Sequence, residues 1–167
     1  INYPNDLLKL RLGYHEIGRN FNAGVGFVPR RGIRESYGEI FIGPRPGRWG
    51  LLQVLAGVSF DHILNTENKP ETQELVITPL RLRFVSGEEL SLNSGYYYEY
   101  LYRDFQIFNK VTIPQNAYDW WAHTLKLKTK GSRSVWGEAN YRWGDFYSGS
   151  RQDITGSVNW KVAVPLF

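Results

Sequence analysis

Between Glu89 and Arg103 the chain runs E-L-S-L-N-S-G-Y-Y-Y-E-Y-L-Y-R, with Leu90, Leu92, Tyr96, Tyr98, Tyr100 and Tyr102 in one register and Glu89, Ser91, Asn93, Glu99 and Arg103 in the other. Side chains alternate with a period of two only in extended backbone, so this stretch predicts a β-strand with one apolar and one polar face. Its length, and an apolar row ending in tyrosines, fit a strand that crosses a membrane better than one in a soluble core.

The period recurs along the chain. Leu8, Leu10, Leu12 and Tyr14 alternate with Lys9, Arg11, Gly13 and His15 in a first strand over Leu7 to Ile17, and a second is predicted over Ile33 to Ile42. The third covers Trp49 to Ile63, with Leu52, Val54, Ala56, Val58 and Phe60 opposite Gln53, Gly57, Ser59 and Asp61. The fourth covers Thr72 to Val85 and sets Val76, Leu80, Leu82 and Phe84 against Gln73, Arg81 and Arg83. Glu74 and Ile77 break its alternation, and Pro79 has no amide donor and calls for a bulge or an unpaired position. After the Glu89 strand come Tyr118 to Thr129, Arg133 to Phe146 and Gln152 to Val164. About eight long strands in one domain over 1–167 predict an all-β, antiparallel up-and-down meander forming a whole or partial outer-membrane β-barrel.

Link lengths point the same way. Long connections are expected at Gly18 to Gly32, Leu64 to Glu71 and Asp104 to Ala117, with a smaller one at Tyr147 to Arg151, all at one end of the strands. Short turns such as Ser86-Gly87-Glu88 fall at the other, as in bacterial outer-membrane barrels. Aromatic residues near strand ends (Tyr14, Trp49, Phe60, Phe84, Tyr102, Tyr118, Trp120, Trp121, Trp143, Phe146, Tyr147) would form the interface girdles.

Composition excludes other classes. With 42% hydrophobic residues the chain can form a folded domain, yet mean hydropathy is −0.41 and no apolar run is long enough for a transmembrane helix. A barrel keeps hydropathy low because half of each strand faces a polar interior. Zero cysteines remove disulfides, thiolate metal sites and cysteine nucleophiles, and leave the redox compartment open. A net charge of +4 reads as an ordinary slightly basic surface. The chain starts at Ile1, has no methionine and shows no leader pattern, so it reads as a mature, excised or fragmentary piece.

No residues announce chemistry. His15, His62 and His123 have no metal-binding spacing, so no metal and no cofactor is expected. His123 near Asp119, with a serine from another strand, is the minimal material for a hydrolase, but the expected role is a satisfied interfacial histidine. Glu89, Glu99 and Glu138 share the polar side with Lys9, Arg11, Arg81, Arg83, Lys126, Lys128, Arg142 and Lys161. Nearby cations lower carboxylate pKa values, which argues against a glycosidase pair and for a salt-bridged lumen with basic residues in excess.

Two loop segments, Asn20 to Arg30 and Gly144 to Arg151, together with Ile113-Pro114-Gln115-Asn116-Ala117-Tyr118, resemble a bacterial family of unknown function. Its members pair an N-terminal carbohydrate-binding-like sandwich of the family-nine type with a C-terminal outer-membrane barrel. The resemblance implies a barrel fragment with further strands elsewhere in the full-length protein. It carries over no catalytic residues. Asn116 stands where that family has glycine, and asparagine tolerates left-handed backbone. Within the loop segments, Gly24, Gly26, Phe27, Pro29 and Arg30 read as a structured loop folded into the lumen, with Arg30 and Arg31 pairing with wall carboxylates. Phe146, Tyr147, Gly149 and Arg151 read as a strand end passing into a turn, with Tyr147 as anchor and Gly149 as hinge.

The expectation is a non-enzymatic outer-membrane segment acting as anchor or transport component. Its partners would be the lipid bilayer and an oligosaccharide or small anionic solute, not nucleic acid. A soluble carbohydrate-binding β-sandwich is the alternative, since tyrosines and tryptophans beside polar residues suit sugar stacking.

Overall fold

The computed structural model describes residues 2–22, 24, 30–108 and 111–162. The strands are β1 (Asn2–Pro4), β2 (Leu8–Ile17), β3 (Ile33–Ile42), β4 (Leu51–Asn65), β5 (Pro70–Phe84), β6 (Glu89–Tyr100), β7 (Phe105–Phe108), β8 (Val111–Ile113), β9 (Ala117–Lys128), β10 (Val135–Phe146) and β11 (Gly149–Trp160). One antiparallel sheet runs in the order β1-β2-β3-β4-β5-β6-β9-β10-β11, and β7 and β8 form a separate hairpin in the link between β6 and β9. The fold is therefore all-β, an up-and-down meander in which each long strand pairs with the next. Among the described residues no pairing joins β11 to the first strands, and β11 is exposed along nearly all of both faces.

The register defines two faces. Leu12, Gly38, Phe60, Leu75, Tyr96 and Trp121 lie side by side across β2 to β9, as do Leu10, Ile40, Val58, Ile77, Ser94 and His123. This apolar face is the exposed one: Leu12, Ile40, Phe60, Ile77, Trp121, Ile154 and Val158 all stand open, the last two at 82% and 80%. The opposite face is the sheltered one. Among the described residues, Phe41, Trp120, Ala122, Gln53, Thr78 and Ser91 are buried there. A soluble sheet buries its oily rows, and here the assignment is reversed.

Three rings lie across glycines on the sheltered face, Tyr37 over Gly13, Phe41 over Gly57 and Tyr97 over Gly95. A Cβ on Gly13 would meet the Tyr37 ring at 2.2 Å, and one on Gly57 would meet Phe41 at 2.5 Å, so each glycine lets an aromatic side chain lie flat along the wall.

The fourth predicted strand is corrected by its bulge. The β5 register shifts between Ile77 and Leu80, around Pro79, where a ring nitrogen cannot serve the ladder. Before the shift Gln73, Leu75 and Ile77 face outward with Glu74, Val76 and Thr78 on the polar side; after it Leu80 and Leu82 face outward opposite Arg81 and Arg83. Val76 therefore belongs to the polar face. The blemishes at Glu74 and Ile77 were regular alternation seen across a register change.

Link lengths are less asymmetric than expected. The connections at 18–32 and 101–116 are long, but 66–69 and 147–148 are tight turns, while 43–50 at the opposite end is longer than either. Tyr147, at φ 53, carries the left-handed residue of the last turn, and Gly149 is simply the first residue of β11, not a hinge. Asn116 does not adopt positive φ either, so its place in the Ile113 to Tyr118 segment needs no left-handed tolerance.

Candidate functional site

The predicted lining residues share the polar face. Lys9 pairs with Glu39 at 2.8 Å, Arg83 and Arg81 approach Glu89 at 3.2 and 3.8 Å, and Lys126 meets Glu138 at 2.8 Å. Lys128 is the register partner of both Glu89 and Glu138. Other cations rest on rings: Arg11 over Tyr37 at 5.4 Å, Arg142 over Tyr97 at 5.4 Å, and Lys161 over Trp136 at 5.3 Å. Glu99 accepts from the Tyr147 hydroxyl at 3.0 Å.

Charge on this face sorts by level, which the sequence reading missed. Towards the 18–32 and 101–116 links lie Glu35, Asp61, Glu74 and Glu99, with His15 as Glu35's neighbour at 2.9 Å. Towards the opposite turns lie Lys9, Arg11, Arg81, Arg83, Lys126, Lys128 and Arg142, countered by Glu39, Glu89, Glu138 and Asp153. The basic excess is confined to the turn-side half. Asp61 and Gln53 were legible as polar-side residues of the third strand. Glu35 and Glu39 alternate with outward-facing residues in β3, a pattern weakened by Arg34 and Ser36, and Glu74 was hidden by the bulge.

Several aromatic residues expected in a girdle turn inward instead. Trp120 stacks on Tyr97 with centroids 5.7 Å apart and packs against Phe146 at 5.8 Å and Tyr147 at 4.8 Å, while Tyr118 meets Tyr147 edge-on at 5.3 Å. Arg151 lies over Phe146 at 5.0 Å and close to Asp153. This inner cluster holds the strained Tyr147 turn through the contacts of Tyr147 with Trp120 and Glu99. Burial, then the Glu99 hydrogen bond, pushes its hydroxyl up to about 12.

At the link end a cavity of about 720 Å³ is bounded by Arg19, Arg31, Glu67, Glu71, Tyr98, Tyr100 and Tyr102. Arg19 donates to Thr66 Oγ1 at 2.6 Å and Tyr102 donates to Glu71 at 2.6 Å. That bond to Glu71 holds the Tyr102 hydroxyl above the ordinary phenol range, and Lys69 holds the Glu67 carboxyl below the usual carboxylate range. Arg30 donates to Thr72 Oγ1 at 2.8 Å and lies 4.0 Å from Glu71. Gly24 is exposed, and Gly26, Phe27 and Pro29 lie outside the described residues.

His123 finds its serine. Ser94 Oγ is 2.9 Å from His123 Nδ1, and Trp143 lies 5.5 Å from the imidazole. The pair sits mid-strand on the apolar outer face, and Asp119, two residues away on that face, makes no hydrogen bond or ion pair with His123. The geometry is that of two polar groups satisfying each other. Among the described residues no group of three or more His, Asp or Glu side chains is placed to hold a metal ion. No family model, no curated protein and no solved structure matches this chain.

Proposed function

We propose that this chain is a bacterial outer-membrane β-barrel segment, whole or partial, that serves as a membrane anchor or as part of an uptake path, without chemistry of its own. The observation that carries this reading is the reversed burial: apolar rows stand open while the charged rows occupy the sheltered face. Exposing so many large side chains to water is costly, at about 25 cal/mol per Å² of apolar surface, and lipid removes that cost.

Dimensions support it. Leu52 to Phe60 on the outer side of β4 spans about 27 Å along the strand, or roughly 20 Å of depth at a ~40° tilt before the end side chains are added, the scale of a ~25 Å apolar band. At one edge the band stops abruptly in a register row of Tyr14, Ser36, His62, Gln73, Tyr98 and Asp119, polar and amphipathic groups suited to headgroup level. Trp49, with Arg48 over its ring at 5.3 Å, is 79% exposed at the other end.

β11, paired with β10 along one edge only among the described residues and exposed on both faces, fits a sheet continued by further strands, as the family resemblance implies for a longer protein. The open apolar rows count against the soluble carbohydrate-binding sandwich, whose two sheets would press those rows together. Phase separation in a clouding detergent tests the choice. Recovery in the detergent phase is expected, and a stable monomer in the aqueous phase overturns the proposal.

A further inference from the structure

The turn-side half of the polar face holds a cavity of about 450 Å³ whose construction exceeds what ion-pair filling requires. Gln53 and Thr78 line it at 5% and 2% exposure, and Ser91, the register partner of Arg81, is buried beside it. These are the buried polar side chains among the described residues. They sit on one patch.

Two register shifts flank that patch, one between Leu51 and Gln53 in β4 and one between Ile77 and Leu80 in β5. The second turns both Thr78 and Arg81 to the same face, where unbroken alternation would send Arg81 outward. Bulges that re-aim side chains in this way concentrate beside functional sites. Gln53 is fixed from three sides: its Nε2 donates to Asp6 O at 2.8 Å and Gly43 O at 2.9 Å, and its Oε1 accepts from Arg83 Nη1 at 3.3 Å. A Cβ on Gly43 would stand 2.6 Å from Gln53 Nε2, so a side chain there would break this lock. Thr78 Oγ1 donates to Asn93 Oδ1 at 2.7 Å.

The charges do not cancel. Glu39 is taken by Lys9, and Asp6, its carboxylate largely in solvent, pairs with Arg45 at 2.9 Å. Glu89 is shared by two guanidiniums, and at 3.8 Å it is beyond hydrogen-bond reach of Arg81 Nε, which is buried with no acceptor. The Arg81 guanidinium lies over the Phe41 ring at 5.6 Å with its side chain 28% exposed, and a guanidinium with one buried nitrogen lacking an acceptor, beside a second guanidinium and two fixed polar side chains, is matched by an anion with several oxygens.

We propose that this cavity binds a small oxyanion, a phosphate group either free or at the end of a larger solute, through Arg81 and Arg83 over a floor of Gln53 and Thr78. The site deepens the uptake reading and rests on it, because this face is shielded from bulk water only where the sheet is enclosed.

Calorimetric titration of the chain refolded in detergent micelles, with inorganic phosphate and separately with glycerol 3-phosphate, tests it. Saturable binding is expected, weakened about tenfold or more by Arg81→Gln or Arg83→Gln and several-fold by Lys9→Gln at the more exposed edge. Arg142→Gln, on the same face outside the cavity, is expected to leave affinity unchanged. Tighter binding of glycerol 3-phosphate identifies an esterified phosphate as the ligand, and equal or tighter binding of inorganic phosphate identifies the free ion. Native strand content by circular dichroism without saturable binding of either probe overturns the site alone, as does an equal loss from Arg142→Gln. A chain that folds only without detergent overturns the membrane reading and the site together.

Discussion

The outer and inner faces of the sheet use the same strands and opposite chemistry. Outside, Ile40, Val58 and Ile77 meet across β3, β4 and β5; one residue further along, Glu39, Ser59 and Val76 meet on the inside. Outer residues, the Ser94–His123 bond and ring pairs such as Tyr96 with Trp121 apart, are mostly apolar side chains open to the surroundings. Inner residues are held by ion pairs, rings lying over glycines, and hydrogen bonds between strands. Specificity therefore resides on the hydrophilic side, and the oily side specifies only an environment.

The sharpest way to break that division is to insert one alanine between Val76 and Ile77. An extra residue in β5 with the Pro79 bulge left in place makes the segment from Pro70 to Val76 put Leu75 inside and Glu74 and Val76 outside, or lose its register with β4 and β6. The variant is expected to fail to refold into micelles, read as loss of the heat-modifiable band on electrophoresis; normal folding would show that β5 takes up an extra residue in a second bulge without cost.

Charge placement comes next. Val58→Lys puts an ammonium in the middle of the outer band and is expected to cost about 2–4 kcal/mol in denaturant titration of the chain in liposomes. Ser59→Lys, its neighbour, faces a cavity with Asp61 and Glu74 and is expected to cost under about 1 kcal/mol. Similar losses for the two would mean that both faces see the same medium.

These two comparisons also show what the sequence could and could not disclose. β6 reads from the chain because only Ser94 and Tyr97 depart from its alternation, although it ends at Tyr100 and not at Arg103, and β3 was placed at its true bounds. β5 does not, because a bulge moves the period by one residue without a mark other than Pro79. The short β7 and β8 hairpin was missed because its strands are too brief to display a period. Likewise the inward turn of Tyr118, Trp120 and Phe146 depends on register against β6 and β10, since aromatic residues near a strand end suit either face. The lining charges were legible as one group. Their separation into an acidic and a basic half depends on which strands are neighbours and how they are staggered.

Smaller effects test the inner face alone. Tyr147→Phe removes the hydrogen bond to Glu99 and is expected to cost about 1 kcal/mol, since the ring packing on Trp120 remains. Its folded pKa of about 12 lies above the unfolded value near 10, so the stability it contributes is complete below about pH 10 and is lost as pH rises through about 12. The wild-type advantage over Tyr147→Phe in denaturant titrations should shrink across that window; a constant difference would place the effect elsewhere. Lys126→Ala breaks a half-exposed pair with Glu138, and a loss of at most about 1 kcal/mol is expected in the same titration.

The absence of cysteine from the chain permits the most direct test, because any single introduced cysteine can carry a nitroxide label without background. Labels placed one at a time at Leu90, Ser91, Leu92 and Asn93 in liposome-reconstituted protein should alternate in collision rate. Oxygen, concentrated in lipid, should dominate at Leu90 and Leu92, and a water-soluble nickel chelate should dominate at Ser91 and Asn93. A flat profile, or chelate access at Leu90 and Leu92 equal to that at their neighbours, would contradict a sheet that turns its oily rows to the bilayer.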